Sequence, residues 1–349
     1  MRRMILLSAL IGLGSCEPDP PEDRDAAPFG ERTVFMALTP GQGDADLSAA
    51  LRQARAMGFD GPGDLNLDWG VFEPTLGEYT DPDQIIEWSR THLSGSPLHL
   101  TLASIQTTYI SVPAQLQGLP WNDPAVVNAY ANALTYLKSQ LPSIDIQSIS
   151  VGNEVDVVLK DDQAQWEAYT DFFRQVYAVA KALWPAADVG VKVGYEAVLA
   201  GQEGVASPIL SASDAILTTY YPGVNAFASD QHLVVADFSA VVNAFPSQKV
   251  HFLEVGFPSG QAVGSSEDLQ RDFVDRVFNS WDLYQDRVAS VTFVWLYDLS
   301  PETLAALAAS YGSSDPEFIG FLGSLGYLSF DRKEKKSYER LLKNIQNRR

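Results

Sequence analysis

From Arg32 onward, short apolar runs alternate with stretches whose apolar residues recur at helical spacing. Runs of about four to eight apolar residues are typical of buried strands, and the intervening pattern is typical of amphipathic helices. Eight strands are predicted: Thr33–Leu38, Asp64–Trp69, Leu98–Ser104, Ile146–Glu154, Asp188–Gly194, Ala215–Tyr221, Lys249–Glu254 and Ser290–Tyr297. This order of strands and helices predicts an α/β fold, a single-domain (β/α)8 TIM barrel over residues 32–349.

Several of the intervening helices carry recognisable ends. The stretch "DLSAALRQARAMG" ends on glycine, a common C-cap, and "NDPAVVNAYANALTYLKSQLP" has a proline in its first turn and another as its stop. The stretch "SSEDLQRDFVDRVFNSW" opens with a Ser265-x-x-Asp268 capping pattern. The C-terminal "KKSYERLLKNIQNRR" is a basic amphipathic helix, which we expect to pack on the barrel with its charged face in solvent.

Two of the predicted strands end on a carboxylate. The fourth ends in "SVGNEV", with Asn153 and Glu154, and the seventh ends in "LEVGFPSG", with Glu254. In a TIM barrel both ends lie at the same rim, where active sites are found, and strands four and seven stand nearly opposite each other. Two carboxylates across such a gap suit glycoside hydrolysis, although a structural ion pair at each strand end is the alternative interpretation.

These motifs resemble those of the clan A retaining glycoside hydrolases. "VGNEV" and the stretch from Glu254 to Ser259 are similar to the family 17 endo-β-1,3-glucanases. Gly-Asn-Glu together with Tyr220-Tyr221-Pro222 is similar to the family 53 endo-β-1,4-galactanases. The resemblance covers residues 33–298 as an ordered set of strand ends, and it implies a (β/α)8 retaining glycosidase that acts on a β-linked glycan. We expect no cofactor and no metal ion.

The resemblance also implies roles for individual residues. Glu154 would be the acid/base and Glu254 the nucleophile, while Asn153 would bind the sugar 2-hydroxyl and Tyr221 would contact the nucleophile. Trp295 on the eighth strand matches the aromatic platform beneath the sugar, where the apolar face of a pyranose stacks on an indole. A barrel-packing aromatic is the alternative for both Tyr221 and Trp295.

Other rim residues have two interpretations. Trp69, with Asp68 and Glu73, could line the cleft or belong to a rigid acidic loop after strand two. Glu196, just past strand five, is a further candidate sugar contact. Trp121 could form a sugar subsite or pack at the start of a helix.

Lys192 is predicted to point into the barrel, because it alternates with valines that would face the helices. A lysine there could form Schiff bases, which gives a lyase as an alternative function, or it could neutralise nearby carboxylates. A glycan-binding protein without turnover is the other alternative. The four histidines have no spacing typical of a metal site.

The amino-acid composition and net charge limit the classes of molecule that the protein is expected to bind. The 349 residues are 46% hydrophobic and carry a formal net charge of −20, which argues against a nucleic-acid partner, since phosphate binding needs clustered lysines and arginines. The expected partner is a neutral carbohydrate, and the expected state is a monomer.

The N-terminus resembles a bacterial lipoprotein leader. Residues 1–16 contain two arginines, a short apolar stretch and Leu13-Gly14-Ser15-Cys16, which resembles a lipobox with Cys16 as the lipidated residue. A chance cysteine in a plain signal peptide is the alternative. Residues 17–31 are rich in proline and acids and are predicted to be a disordered linker. We therefore expect an exported, membrane-anchored lipoprotein, at the cell surface or in the periplasm, that meets the membrane only through this anchor.

Overall fold

The computed structural model describes residues 26–222 and 233–349, and all eight predicted strands are present in it. They are β1 (Thr33–Met36), β2 (Asp64–Asp68), β3 (Pro97–Ala103), β4 (Asp145–Ser150), β5 (Asp188–Gly190, continued by Lys192–Gly194), β6 (Ala215–Tyr220), β7 (Lys249–Val255) and β8 (Val288–Phe293). A two-stranded hairpin, Ile105–Gln106 with Tyr109–Ile110, follows β3. The predicted fold class is confirmed: parallel strands alternate with helices in the order of a (β/α)8 barrel.

The strands form two parallel hydrogen-bonded arcs. One arc runs β2-β3-β4 to the first half of β5, and the other runs β1-β8-β7-β6 to the second half of β5. β5 changes partners at Val191, so a single chain segment joins the arcs on that side. On the other side β1 meets the approach to β2 through a single bridge between Phe35 and Gly61.

Thirteen α-helices surround the strands in the described ranges. They are α1 (Ser48–Met57), α2 (Trp69–Phe72), α3 (Ile85–His92), α4 (Pro124–Gln140), α5 (Asp156–Leu159), α6 (Gln163–Leu183), α7 (Tyr195–Leu199), α8 (Ser207–Ala212), α9 (Val234–Ala244), α10 (Glu267–Leu283), α11 (Pro301–Ser310), α12 (Pro316–Leu322) and α13 (Lys336–Gln346). None of the helices in residues 26–222 and 233–349 is long and apolar enough to cross a bilayer.

The predicted helix ends are largely correct. Gly58 caps α1 in the left-handed conformation, and Asp123 caps α4 by accepting from the amide of Ala125. The N-cap of α10 is Ser266, whose side chain accepts from the amide of Leu269, so the prediction of Ser265 is wrong by one residue. Ser265 instead donates to the carbonyl of Pro258.

The C-terminal helix α13 packs on α10 with Leu341 and Ile345 buried, as predicted. The predicted start of the folded body at residue 32 is wrong, because Phe29 is buried against Trp281 with ring centroids 5.4 Å apart. The Phe29 amide also donates to the carbonyl of Arg348 at 2.9 Å. The end of the predicted linker therefore packs on the barrel through the apolar side chain of Phe29. Residues 17–25 lie outside the described residues.

Candidate active site

Glu254 lies near the carboxyl end of β7, where its neighbours fix both of its carboxylate oxygens. Tyr221, directly after β6, donates to Oε2 at 2.7 Å, and the Nζ of Lys192 donates to Oε1 at 3.1 Å. The side chain of Glu254 is 26% exposed and faces a cavity. Each oxygen of this carboxylate therefore has its own hydrogen-bond donor.

Glu154 does not lie on a strand, as β4 ends at Ser150. It follows Asn153 in a loop whose backbone pairs with the hairpin after β3, and its φ of 45° is in the left-handed region. Thr107, which hydrogen-bonds it, has a φ of 44°. Strained non-glycine residues of this kind cluster at functional sites, where surrounding contacts hold them in place.

Two threonine hydroxyls hold the carboxylate of Glu154. Thr219 on β6 donates to Oε1 at 2.7 Å, and Thr107 donates to Oε2 at 3.0 Å. Burial, followed by the negative charge of Glu254, raises the pKa of Glu154 to about 7. Glu154 can therefore carry a proton near neutral pH, as a general acid must.

The two glutamates are close neighbours through Thr219. Thr219 pairs in register with Glu254 across adjacent strands, which lie about 4.8 Å apart in a sheet, and its hydroxyl contacts Glu154. Both carboxylates line one cavity of about 620 Å³, within the usual range for small-molecule sites. The end of β7 and the loop after β4 therefore bring together the two glutamates that the sequence indicated.

Asn153 lies beside Glu154 and is 6% exposed. Its Nδ2 donates to the hydroxyl of Thr107 at 2.8 Å, whereas its Oδ1 is buried and has no hydrogen-bond partner in the described structure. A buried acceptor without a partner carries a free-energy cost unless a bound ligand supplies a donor. Asn153 lines the same cavity, so this oxygen is available to a substrate hydroxyl.

Trp295 follows β8 and forms part of the cavity wall with Tyr221. The peptide bond between Val294 and Trp295 is cis. Both aromatic side chains pack against a separate apolar cluster that includes Phe321 and Leu325, formed largely by α11, α12 and the segment after them. This side of the cavity is apolar, while Asp64, Asn66, Gln106 and Asn153 supply polar groups elsewhere in its lining.

Two glycines explain why the strand-end motifs have their composition. Gly152 precedes Asn153 with a φ of 119°, a conformation that L side chains rarely adopt. A Cβ on Gly256 would lie 2.5 Å from the ring of Tyr221, so only glycine allows that ring to reach Glu254. The "GNE" and "EVG" sequences thus serve the placement of the two carboxylates.

The prediction that Trp69 contacts a substrate is wrong. The chain turns into α2 at Trp69, which is fully buried and packs edge-on against Tyr130 at 4.9 Å. Its indole N–H donates to Glu73, which is itself buried and also accepts from the amide of Gly77. The rigid-loop interpretation of this segment is the correct one.

Two further residues lie away from the cavity lining. Trp121 packs on Tyr169 and Phe172 just before α4, as expected for the packing interpretation. Glu196 lies in the first turn of α7 and is exposed, so the described structure does not bring it to the cavity. Cys16 lies outside the described residues. Within residues 26–222 and 233–349, no cluster of three or more metal-ligating side chains is present.

Lys192 points into the barrel as predicted, and its side chain is fully buried. Burial alone would lower its pKa, but the carboxylates of Asp64 and Glu254 outweigh this and raise the pKa above the usual range. A Schiff base requires the neutral amine. These contacts therefore favour the neutralising interpretation of Lys192 over the lyase interpretation.

Four residues of the site were not predicted from the sequence: Asp64, Thr107, Thr219 and Tyr311. Thr219 could have been found, because it precedes Tyr220-Tyr221 at a strand end. Thr107 and Tyr311 lie in connecting segments, where no periodic pattern marks an inward side chain. Tyr311 lines the cavity and its pKa is raised, first by burial and then by the charges of Glu154 and Glu254.

No protein-family model matches this chain, and no curated protein matches its sequence. Several solved structures are similar. A GH5_18 protein from Bifidobacterium longum subsp. infantis shares 16% identity at a TM-score of 0.66, over 90% of this chain and 78% of that one. GH5_18 from Streptomyces cattleya, in complex with GlcNAc, shares 19% identity at a TM-score of 0.65, over 92% and 80%.

The exo-β-1,4-mannosidase Op5Man5 from Opitutaceae bacterium strain TAV5 shares 14% identity at a TM-score of 0.65, over 90% of this chain and 59% of that one. At these identities the likeness establishes the fold, and the chain has the (β/α)8 TIM-barrel architecture of these proteins. The names of the three proteins refer to neither family 53 nor family 17, so the finer part of the sequence resemblance has no support from them.

Proposed function

We propose that this protein is a retaining glycoside hydrolase of the clan A type that acts on a neutral β-linked glycan. The observation that carries the proposal is the pair of carboxylates in one cavity, which have different surroundings. Glu154 has a pKa raised to about 7, whereas Glu254 receives hydrogen bonds from Tyr221 and Lys192 on its two oxygens. An acid and a nucleophile are the two groups that double displacement needs.

In the first step Glu254 attacks the anomeric carbon, the glycosidic bond breaks, and the proton of Glu154 passes to the leaving oxygen. In the second step Glu154 takes a proton from water, the water oxygen attacks the same carbon, and Glu254 leaves as a carboxylate. The link through Thr219 supports the short separation, about 5–5.5 Å, that this route requires. Asn153 and Trp295 would bind the sugar.

For the substrate we propose β-mannosides as the first class to test. Similar structures include GH5_18 variants from Bifidobacterium longum and Streptomyces cattleya in complex with Manβ1-4GlcNAc, and the mannosidase named above. The apolar segment of α11 and α12 beside Trp295 supports a pocket for short glycans.

The test is release of reducing ends from β-1,3-glucan, β-1,4-galactan, mannan, xylan and Manβ1-4GlcNAc. Glu254→Ala serves as the inactive control, and Glu196→Gln is a matched surface carboxylate that should leave turnover unchanged. Activity that disappears only in Glu254→Ala supports the proposal. Saturable sugar binding without any product would instead favour the glycan-binding alternative, and activity surviving in Glu254→Ala would contradict the assignment of the nucleophile.

We also propose that the protein is exported and anchored through lipid on Cys16. The support is the lipobox-like sequence and the absence of any other cysteine in the chain. Expression in bacteria fed labelled palmitate should give a labelled membrane-bound protein. Cys16→Ser should lose both the label and the membrane fraction, and a wild-type protein without label would contradict the proposal.

A further inference from the structure

The buried ammonium group of Lys192 contacts Glu254, one of the two candidate catalytic carboxylates, and also Asp64. The Nζ of Lys192 is 2.7 Å from Oδ2 of Asp64 and 3.1 Å from Oε1 of Glu254. The side chain of Lys192 is 0% exposed, and those of Asp64 and Glu254 are 9% and 26% exposed. Within residues 26–222 and 233–349, no other basic side chain forms an ion pair with Glu154 or Glu254.

The fold fixes this lysine from its backbone. Lys192 begins the second half of β5, just after the strand changes partners at Val191. Its amide donates to the hydroxyl of Ser150 at 2.8 Å. Val191 and Val193 are fully buried in the main apolar core. Strand alternation therefore directs Lys192 to the other face, into the barrel.

Asp64 anchors the ammonium group from the opposite side of the barrel interior. Thr101 donates to both of its oxygens, at 3.0 and 2.7 Å, so the carboxylate is held whether or not Glu254 is charged. A lysine pinned in this way keeps a fixed position beneath Glu254. The ion pairs and the hydrogen bonds of Lys192 to both carboxylates offset the cost of burying these charges.

Several other titratable groups face this cluster. Tyr221 donates a hydrogen bond to Glu254. The negative charge of Glu254 also contributes to the raised pKa of Glu154 and of Tyr311. His99 is also close enough to interact with Lys192: burial first, and then electrostatic interactions with His251 and Lys192, lower the pKa of His99 well below its ordinary value. Lys192 is therefore the positive charge that Asp64 and Glu254 share, because a neutral His99 supplies none.

We propose that Lys192, fixed on Asp64, is a positioning residue that holds Glu254 as a carboxylate in its attacking orientation. The inference rests on the proposed function. When Glu254 forms the glycosyl ester its charge disappears, and Lys192 keeps Asp64 as a partner. When water cleaves the ester, the departing carboxylate of Glu254 regains its ion pair, which makes it a better leaving group.

Three variants separate this role from a structural one: Lys192→Met, Asp64→Asn and the double variant. Both single changes break the same ion pair, so a purely structural role predicts similar losses of stability and no specific change at Glu254. The proposal predicts opposite effects on Glu254, because Lys192→Met removes a positive charge and Asp64→Asn removes a negative one. The double variant leaves no charge of the pair unpaired and guards against misfolding of Lys192→Met.

The primary measurement is the titration of Glu254 by carbon NMR in glutamate-labelled protein, with its signal assigned by its loss in Glu254→Gln. An opposite charge at this range lowers a carboxylate's pKa by about 1–3 units. We therefore expect the midpoint of Glu254 to rise by about that amount in Lys192→Met, and not to rise in Asp64→Asn. The acid limb of the pH profile of kcat/KM should move in the same direction.

An unchanged Glu254 midpoint in both Lys192→Met and the double variant would overturn the inference. An equal rise in Lys192→Met and Asp64→Asn would also overturn it, since it would indicate a general structural effect. The NMR titration needs no turnover. A protein without hydrolytic activity would therefore count against the proposed function alone, and a normal enzyme with an unmoved midpoint would count against Lys192 alone.

Discussion

The barrel has a buried polar cluster at each end, and the two differ in what they face. At the carboxyl end, Glu154, Glu254 and Lys192 lie beside a cavity of about 620 Å³. At the amino end, His251 contacts Asp188 at 3.0 Å and Ser290 at 2.7 Å. Two serines satisfy His99 in the same way: Ser290 contacts its Nε2 at 3.1 Å, and Ser148 contacts its Nδ1 at 2.8 Å.

The histidine cluster contains an Asp-His-Ser series that resembles a catalytic triad by composition. None of its members belongs to the cavity lining: His99 and Ser290 are fully buried, and Asp188, whose side chain is 33% exposed, lies away from the cavity. By contrast, the carboxylate cluster opens to a cavity and includes Asn153, whose buried oxygen lacks a partner. Access and an unsatisfied polar atom, rather than residue types alone, distinguish a candidate active site from a structural network.

The largest expected effect is loss of turnover in Glu254→Ala. Removing a nucleophile should lower kcat by about 10⁴-fold or more, with little change in the melting temperature. Steady-state kinetics and circular dichroism measure the two quantities. Added azide should restore part of the activity by replacing the missing carboxylate. If Glu254→Ala unfolds instead, Glu254 has a structural role, as the histidine cluster does.

A smaller loss, about 10²–10⁴-fold in kcat, is expected for Glu154→Ala on substrates with poor leaving groups. Aryl glycosides with acidic phenols need no proton and should retain more activity. The wild-type rate should fall as pH rises through about 7, because the raised pKa of Glu154 marks the loss of its proton. A pH profile of kcat/KM that keeps this basic limb in Glu154→Ala would contradict the assignment.

Two tryptophans test the boundary of the cavity. Trp295→Ala should lower kcat/KM by about 10–100-fold, as expected from losing about 1.5–3 kcal/mol of apolar contact with a sugar. Trp69→Phe should leave kcat/KM unchanged and lower the melting temperature, because Trp69 packs on Tyr130 and bonds Glu73. Equal kinetic effects in the two variants would remove the distinction between cavity and core.

The smallest effect on turnover is expected in the histidine cluster. Ser290→Ala removes the hydroxyl that contacts both His99 and His251. A buried polar group without its partner costs about 1–3 kcal/mol, so the free energy of unfolding should fall by that amount. Denaturant unfolding measures this loss, and kcat should be unaltered. A large fall in kcat with unchanged stability would contradict this prediction and would indicate that the histidine cluster contributes to catalysis.

Much of the fold could be predicted from sequence, because buried strands and amphipathic helices have distinct periods. The two glutamates could be predicted as well, since the barrel directs strand ends and the loops after them to one rim, although Glu154 lies in the loop after β4 and not on the predicted strand. Trp69 was misplaced because a strand end does not reveal whether the next residue continues the strand or, as here, starts a helix. The sequence around Tyr311 does not indicate a site residue. Its position near the carboxylates depends on how α11 and α12 pack, which no local sequence pattern encodes.

Trapping of the covalent intermediate tests the central claim most directly. The protein would be incubated with dinitrophenyl 2-deoxy-2-fluoro-β-mannoside and the matching glucoside, followed by intact-mass and peptide mass spectrometry. A single fluoroglycosyl group on Glu254, absent in Glu254→Gln, is the predicted result. Turnover of the parent glycoside with no label, or with the label on another residue, would contradict the account.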